Sequence, residues 1–516
     1  MAILAVPLHG RVRFPDSGGP LLIGPEHGDA RGPSGAEFVG GGPVMDTARN
    51  VVAVDLGAES GRLVLCRWDG GAGTLEEIHR FRNRPQPAGN HLVWDMEGLW
   101  WEILRGLSKA AAKSNGHIAS IGVDGWGVDY TLLDAAGDRI GHAFCYRDGR
   151  NVPAMEKVLS RVSQERIYDI TGIQFMPVNT LYQLTAHVEE VPEEWERAVR
   201  WLNLPEYFHY RLTGVATAEY TEASTTQLLE VRTRSWSSEL ASALGLGLEK
   251  FPPIVPAGTV VGKLLPQVSQ EVGLKNTQVI APACHDTGSA VAGIPFPHEG
   301  LAFISSGTWS LVGTVLFEPV VQGSREGRNF ANEGGIAGTI RYLRSVIGLW
   351  LLQECLREWN GEGRNLTAAD LAAQCLETSP EGPYFQSDET TYLAPGNMVE
   401  RLNAGLRAAG FQEERRPAEL AAIIFRSLAR RYADVVKQLG TLSGKSIKRI
   451  CIVGGGVKNE ALNRLTERVT GIEVVRGPSE ATAAGNIAVQ VAALEKAVSL
   501  DQIQAISARL KFASPQ

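Results

Sequence analysis

Apolar residues along this chain gather in short unbroken runs that end on Asp, Ser or Gly, separated by longer stretches with a single apolar face. Val51 to Val54 is such a run, of the kind carried by a strand covered on both faces. It ends at Asp55. Gly57 and Gly61 then allow a tight turn before Leu63 to Cys66 resume the apolar run, so the pattern predicts strand, glycine turn, strand. Thr74 to Arg82 reads as a third strand. Asp95 caps a helix in which Met96, Leu99, Trp100, Ile103, Leu104, Leu107 and Ala111 keep one face, and Asn115 with Gly116 stops it. His117 to Asp124 reads as the fourth strand, and it too ends on a carboxylate.

The pattern is weaker between residues 140 and 275, where Val152 to Gln164 and Leu202 to Thr213 read as helices of an insertion around a cleft. Val279 to Cys284 is again an apolar strand, ending in His285, Asp286 and Thr287. Leu301 to Gly313, LAFISSGTWSLVG, echoes Val51 to Leu65 and marks an internal repeat. Pro417 opens a long helix with Leu420, Ile424, Leu428, Tyr432, Val435 and Leu439 on one face, closed by Gly440. Ile447 to Val453 follows as a strand, then the triplet Gly454 to Gly456, and Asn459 caps the next helix. Strand ends carrying Asp and Gly at two places in one sheet, after Val54 and after Val123, predict a cleft at its carboxyl edge.

Composition narrows the class. A chain of 516 residues exceeds one compact core and divides into two large domains of roughly 200 to 250 residues. Hydrophobic residues at 44% and charged residues at 21% are the balance of a soluble globular protein. A net charge of −7, without a long Lys/Arg run, leaves no footprint for nucleic acid, and no apolar run nears the ~18 residues of a membrane span. The six cysteines show no C-x-x-C spacing and read as reduced cytoplasmic thiols; the ten histidines are scattered, which argues against a built-in transition metal. Residues 1–49 are different. From His9 to Pro43 Gly and Pro crowd the chain and no apolar face recurs, so the stretch is expected to be disordered or a spurious extension before a start at Met45. Ala2 to Leu8 is short and follows no basic segment, unlike a signal peptide.

The chemistry sits at the strand ends. Asp55 can hold magnesium through water while the turn after it aims backbone N–H groups and the Ser60 hydroxyl at phosphate oxygens; a plain glycine hairpin has the same pattern. Trp126, within Asp-Gly-Trp-Gly-Val-Asp, can face a sugar ring, or the segment is a polar turn. Asp286 can act as a general base or as a helix N-cap. The Gly454 triplet lets a flat base or a phosphate lie against backbone near the positive end of a helix. Two near-motifs fail. Gly440 to Ser446 has three residues, not four, between its glycines and precedes a strand, so it reads as a helix-ending loop; the Gly454 triplet lacks the third glycine of a dinucleotide fingerprint.

Taken together, VDLGAESGR, GVDGWGVDY, YRDGR, GIQFMPVNTLYQL, HDTGSAV, SSGTWSLVG, NEGG, GLWLLQ and VGGG, in this order from about Val51 to about Ala493, resemble the FGGY carbohydrate kinases. The resemblance implies two ribonuclease-H-like domains of the actin-like ATPase superfamily around a central cleft. The sugar-binding domain would be residues 50–297, the nucleotide-binding domain 298–496, and 497–516 a C-terminal tail. It implies ATP and Mg2+, with Ala58, Glu59, Ser60, Gly61 and Arg62 as a phosphate loop, Asp55 organising the metal, and Thr308, Gln353 and Gly455 at the nucleotide. Gly127, His285, Asp286 and Thr287 would contact the sugar, with Asp286 the base. GVDGWGVDY and HDTGSAV favour the family's L-rhamnulose kinases over those for glycerol, xylulose or gluconate. The sugar-binding Asn expected just before IGLW is Ser345 here, which leaves L-fuculose or another ketose open as the substrate. A non-catalytic actin-like ATPase or a sugar-binding regulator is the alternative of another class, and monomer or homodimer is undecided.

Overall fold

The computed structural model describes residues 48–321, 327–387, 390–393 and 396–513; the expectations for the segment before residue 48, including the start at Met45, lie outside them. Two sheets organise these residues. The first runs in the order Val260–Lys263, Gln278–Ile280, Ser120–Gly125, Arg49–Leu56, Ser60–Trp68, Gly73–Arg82, Leu510–Phe512. The second runs Ala331–Gly334, Ile340–Ile347, Trp309–Leu316, Leu301–Ser306, Arg449–Val453, Glu473–Arg476. The repeat read from the sequence is present in both. In each sheet the central strand pairs antiparallel with the strand after its glycine turn and parallel with a later strand, Ser120–Gly125 or Arg449–Val453.

The unbroken apolar runs have a direct cause. Val52, Val54, Leu63 and Leu65 face one layer, which includes Leu99, Ile103 and Leu107, whereas Val51, Ala53, Val64 and Cys66 face Ala484, Ile487 and Val491 on the other side. Both faces are dry, so every position must be apolar, each larger side chain contributing roughly 1.5–3 kcal/mol. The Ala481–Leu494 helix, which follows the second sheet in the chain, lies on the first. Gln490 donates to the Val52 carbonyl at 3.0 Å, and Asn486 donates to Asp124 Oδ2 at 2.5 Å. Its Gly485 crosses the Asp286–Ala292 helix so closely that a Cβ there would overlap the Ser289 carbonyl oxygen. Residues beyond it, set apart above as a tail, form the Leu500–Ser507 helix and the Leu510–Phe512 strand, which pairs with Gly73–Arg82.

Several boundaries differ from the pattern reading. The Pro417–Ser443 helix buries all six predicted face residues but runs through Gly440; one glycine costs about 1 kcal/mol without stopping a helix, and the stop is Gly444 at φ 68°. Leu202 belongs to the buried Arg200–Asn203 strand, and Pro205 sets the start of the Leu204–Thr213 helix. Two short strands, Gln86–Ala88 and His91–Val93, precede the Met96–Lys113 helix, so Ser120–Gly125 is not the fourth strand. Against Ser120–Gly125 the strand Gln278–Ile280 pairs only as far as Val279, and Pro282 beyond it has no N–H to give; a bridge from His285 to Gly125 resumes the pairing. Much of the region 140–275 shares a small core of its own, around Tyr182 and Trp201, which Tyr130 and Leu132 join from outside it.

Candidate active site

Both glycine turns open onto one cavity of about 450 Å³ between the two sheets. Gly57 N–H donates to the Ser60 carbonyl at 3.1 Å, and a Cβ on Gly57 would lie 2.7 Å from that oxygen, so the turn needs glycine. Opposite it, Gly307 N–H bonds the Trp309 carbonyl at 2.9 Å, and the Thr308 carbonyl accepts from Gly348 and Trp350. A Cβ on Gly456 would collide with Ser306, while the space around the Cβ position of Gly455 is open.

Of the predicted residues, Ala58, Glu59, Ser60, Gly127, His285, Asp286, Thr287, Thr308, Ser345 and Gly455 line this cavity; Asp55, Gly61, Arg62 and Gln353 do not. Gln353 instead accepts from the Thr308 hydroxyl at 3.2 Å. Gly61 lies beneath the Phe81 ring. Arg62 donates through Nε and Nη2 to Asp55 Oδ2 at 2.8 and 2.6 Å, and its Nη1 pairs with Glu480, so these two predicted contacts are first of all each other's partners. Trp126 lines the cavity but is 6% exposed, packed on Trp94 with its indole N–H bound to Asp129, so little of it is open to the cavity.

Three carboxylates meet at the strand ends of the first sheet. Asp55 and Asp124 are neighbours in register. Asp124 is fully buried, and Oδ1 has no hydrogen-bond partner. Burial first, then the charge of Asp55, drives its pKa well above the usual carboxylate range. Asp286 opens the Asp286–Ala292 helix, but the N-cap position belongs to His285, and Asp286 Oδ1 accepts from the Thr287 hydroxyl at 3.0 Å. Its side chain is 34% exposed at the cavity wall. Burial and the Asp55 charge raise its pKa, while His285 works the other way.

The turn that presents Asp286 is held from below. Glu219, fully buried, accepts from Cys284 N–H at 2.9 Å and from the Thr221 hydroxyl, and that hydroxyl accepts from His285 N–H at 3.2 Å. Arg147 also lines the cavity, with its guanidinium 5.5 Å from the Trp350 ring across the cleft.

The sequence pattern of the FGGY carbohydrate kinase N-terminal domain matches residues 50–293, and that of the C-terminal domain matches residues 302–494. The chain belongs to the FGGY family of carbohydrate kinases. It is 39% identical over 459 residues to a protein named Rhamnulokinase from Oceanobacillus iheyensis, covering 88% of this chain and 95% of that one. A Rhamnulokinase from Pectobacterium carotovorum is 41% identical over 453 residues, covering 86% and 88%. Among solved structures, gluconate kinase from Lactobacillus acidophilus superposes with a TM-score of 0.72 at 17% identity over 89% of this chain and 92% of that one. Plasmodium falciparum glycerol kinase with ADP gives 0.70 at 16% over 90% and 94%. The fold of this FGGY kinase is therefore the two-domain actin-like ATPase fold.

Sequence reasoning assigned no role to Gln174, Glu333, Arg341, Glu480 or Arg147. All but Arg341 and Glu480 line the cavity. Gln174, Arg147 and Glu333 stood inside the quoted segments GIQFMPVNTLYQL, YRDGR and NEGG, which was the available signal; Arg341 and Glu480 lay outside every quoted segment.

Proposed function

We propose that the chain is an ATP-dependent kinase that transfers the γ-phosphoryl group to the 1-hydroxyl of L-rhamnulose. One observation carries this: two phosphate-type turns, from the two sheets, and the carboxylate of Asp286 share a single cavity. Phosphoryl transfer needs positioning and charge neutralisation more than covalent help, and the arrangement supplies both.

The 58–60 turn and the 306–308 turn would flank the phosphates from opposite sides of the cavity, and the open space at Gly455 suits the adenosine end. Asp286 accepts the proton of the sugar's primary hydroxyl as that oxygen attacks the γ-phosphorus; the bond to the β,γ-bridging oxygen breaks and ADP leaves with its electron pair. Walls from both sheets keep water from competing with the sugar. Asp55 and Asp124 would hold Mg2+, whose charge offsets that of the β- and γ-phosphates. The orphaned Oδ1 of Asp124 and the mutual repulsion of the two carboxylates fit such a cation. Among the described residues no group of three or more His, Cys, Asp or Glu could hold a metal, so phosphate oxygens and water would complete the shell. We place the protein in the cytoplasm: among the described residues all six cysteines are buried thiols, and no helix is long and apolar enough to cross a membrane.

The test is an ATP-coupled assay across L-rhamnulose, L-fuculose, D-xylulose, L-ribulose and glycerol. The highest kcat/KM is expected for L-rhamnulose; a higher value for L-fuculose would reassign the ketose, and no sugar-dependent ADP release would overturn the kinase reading.

A further inference from the structure

Glu333 and Arg341 face each other on paired strands of the second sheet, Ala331–Gly334 and Ile340–Ile347, yet both side chains reach across to His285 on the first. Arg341 is 1% exposed. Its Nε donates to the Gly334 carbonyl at 2.7 Å, Nη1 lies 3.1 Å from Glu333 Oε2, and Nη2 lies 3.0 Å from His285 Nδ1. Glu333 Oε2 is 3.3 Å from the same Nδ1. The other ring nitrogen, Nε2, is 3.5 Å from Asp286 Oδ1.

These contacts compete for one nitrogen. A guanidinium can only donate and a carboxylate can only accept, so Nδ1 cannot serve both. A hydrogen on Nδ1 would point at Glu333 but confront an N–H of Arg341. A lone pair on Nδ1 instead accepts from Arg341 at the shorter distance, and Glu333 keeps its ion pair with Arg341. Arg341 is itself fixed by its hydrogen bond to the Gly334 carbonyl and ion-paired with Glu333, so it is the ring that must conform. With Nδ1 an acceptor, the hydrogen of the neutral imidazole sits on Nε2 and faces Asp286.

We propose that Arg341, anchored by Glu333, is a positioning residue that holds His285 in its Nε2–H tautomer and so orients the carboxylate of Asp286. His285 and the Thr287 hydroxyl then converge on the same oxygen, Oδ1, leaving Oδ2 to take the proton of the sugar hydroxyl. Gly127 keeps the approach open, since a Cβ there would sit 3.3 Å from His285 Nε2. The sheet that closes over the nucleotide would thereby set the geometry of the base on the opposite sheet, so the base is completed only when the two sheets are together. The inference rests on the reading of Asp286 as the base.

The experiment is 15N NMR of the full-length protein labelled at histidine, with His285 assigned from a His285→Asn variant. The Nε2–H tautomer is expected at neutral pH; an Nδ1–H tautomer or an imidazolium would overturn the proposal. In Arg341→Met, His285 should leave the Nε2–H form. Turnover should fall about 10- to 100-fold, the scale on which misplacing a reacting group acts. The acid limb of kcat should move to higher pH, because Asp286 loses a donor to its charged form, while ATP affinity stays unchanged. Arg341→Lys, which keeps one donor, should restore part of the rate. A folded Arg341→Met with normal kcat and an unmoved pH profile would also overturn it. Normal turnover in Asp286→Asn would refute the base reading instead, and leaves the measured tautomer standing.

Discussion

Gln174 and Ser345 meet across the cleft: the Gln174 side-chain oxygen accepts from the Ser345 backbone N–H at 3.0 Å, and its Nε2 donates to the Ser345 carbonyl at 3.3 Å. A side chain from the insertion thus occupies both main-chain groups of the residue that stands where the family's sugar-binding Asn was expected. Ser345→Asn should change KM among ketoses by about tenfold, the worth of roughly one hydrogen bond. Gln174→Ala should raise the KM for sugar by a similar factor and leave that for ATP alone. Steady-state kinetics on the five sugars checks both, and an unchanged KM for every sugar in Ser345→Asn would put that side chain outside the sugar site.

Asp286→Asn keeps size and polarity but removes the acceptor charge. Turnover should fall about 100- to 10,000-fold. Since His285, not Asp286, holds the N-cap position, the melting temperature should hardly move. In the wild type, activity should be lost as pH falls through the raised pKa of Asp286, placing the acid limb above the ~3.9 of an ordinary aspartate. Melting curves, nucleotide affinity and a kcat–pH profile decide the matter together.

Asp124→Asn retains an acceptor for Asn486 but replaces the orphaned Oδ1, a potential ligand oxygen beside Asp55, with an amide nitrogen. The Mg2+ concentration for half-maximal turnover should rise by about tenfold or more. A metal titration at fixed ATP measures it, and an unshifted midpoint would take Asp124 out of the metal site.

Asp129 is fully buried and accepts from the Trp94 and Trp126 indoles at 2.6 and 3.0 Å, from Gln183 at 2.9 Å and from Tyr146 N–H at 3.1 Å. Burial pushes its pKa to about 6 against those bonds. Asp129→Asn turns an amide into this ring of donors and should cost about 1.5–3 kcal/mol. Urea unfolding followed by tryptophan fluorescence reads the loss directly.

His209, fully buried, accepts from Val123 N–H at 3.0 Å, and burial lowers its pKa from 6.5 to about 3. The unfolded chain therefore takes up the proton first as pH falls. The stability His209 contributes is present above about pH 6.5 and is lost on going down toward pH 3, at up to about 1.4 kcal/mol per pH unit. Relative to His209→Gln, the wild type should lose stability between about pH 6.5 and 4. Paired melting curves at stepped pH test this, and parallel curves would contradict it.

Local pattern was enough to reveal the duplicated strand–turn–strand units. A central strand buried on both faces can hold nothing but apolar residues, and its turn can hold little but glycine and small polar ones. The same logic placed Asp55, Asp124 and Asp286 at strand ends and the Asp95 and Asn459 caps at helix starts, since each depends on neighbours within a few positions. Pattern could not decide where the Pro417 helix stops, because Gly440 and Gly444 look alike until one adopts a positive φ. Nor could it join residues far apart in the chain. Arg62 with Glu480, Gln174 with Ser345, Asp124 with Asn486, and the set of His285, Glu333 and Arg341 are partners only because segments far apart in the chain are brought together by the tertiary fold. Buried charge finds its counter-charge in space, and that pairing leaves no periodicity in the chain.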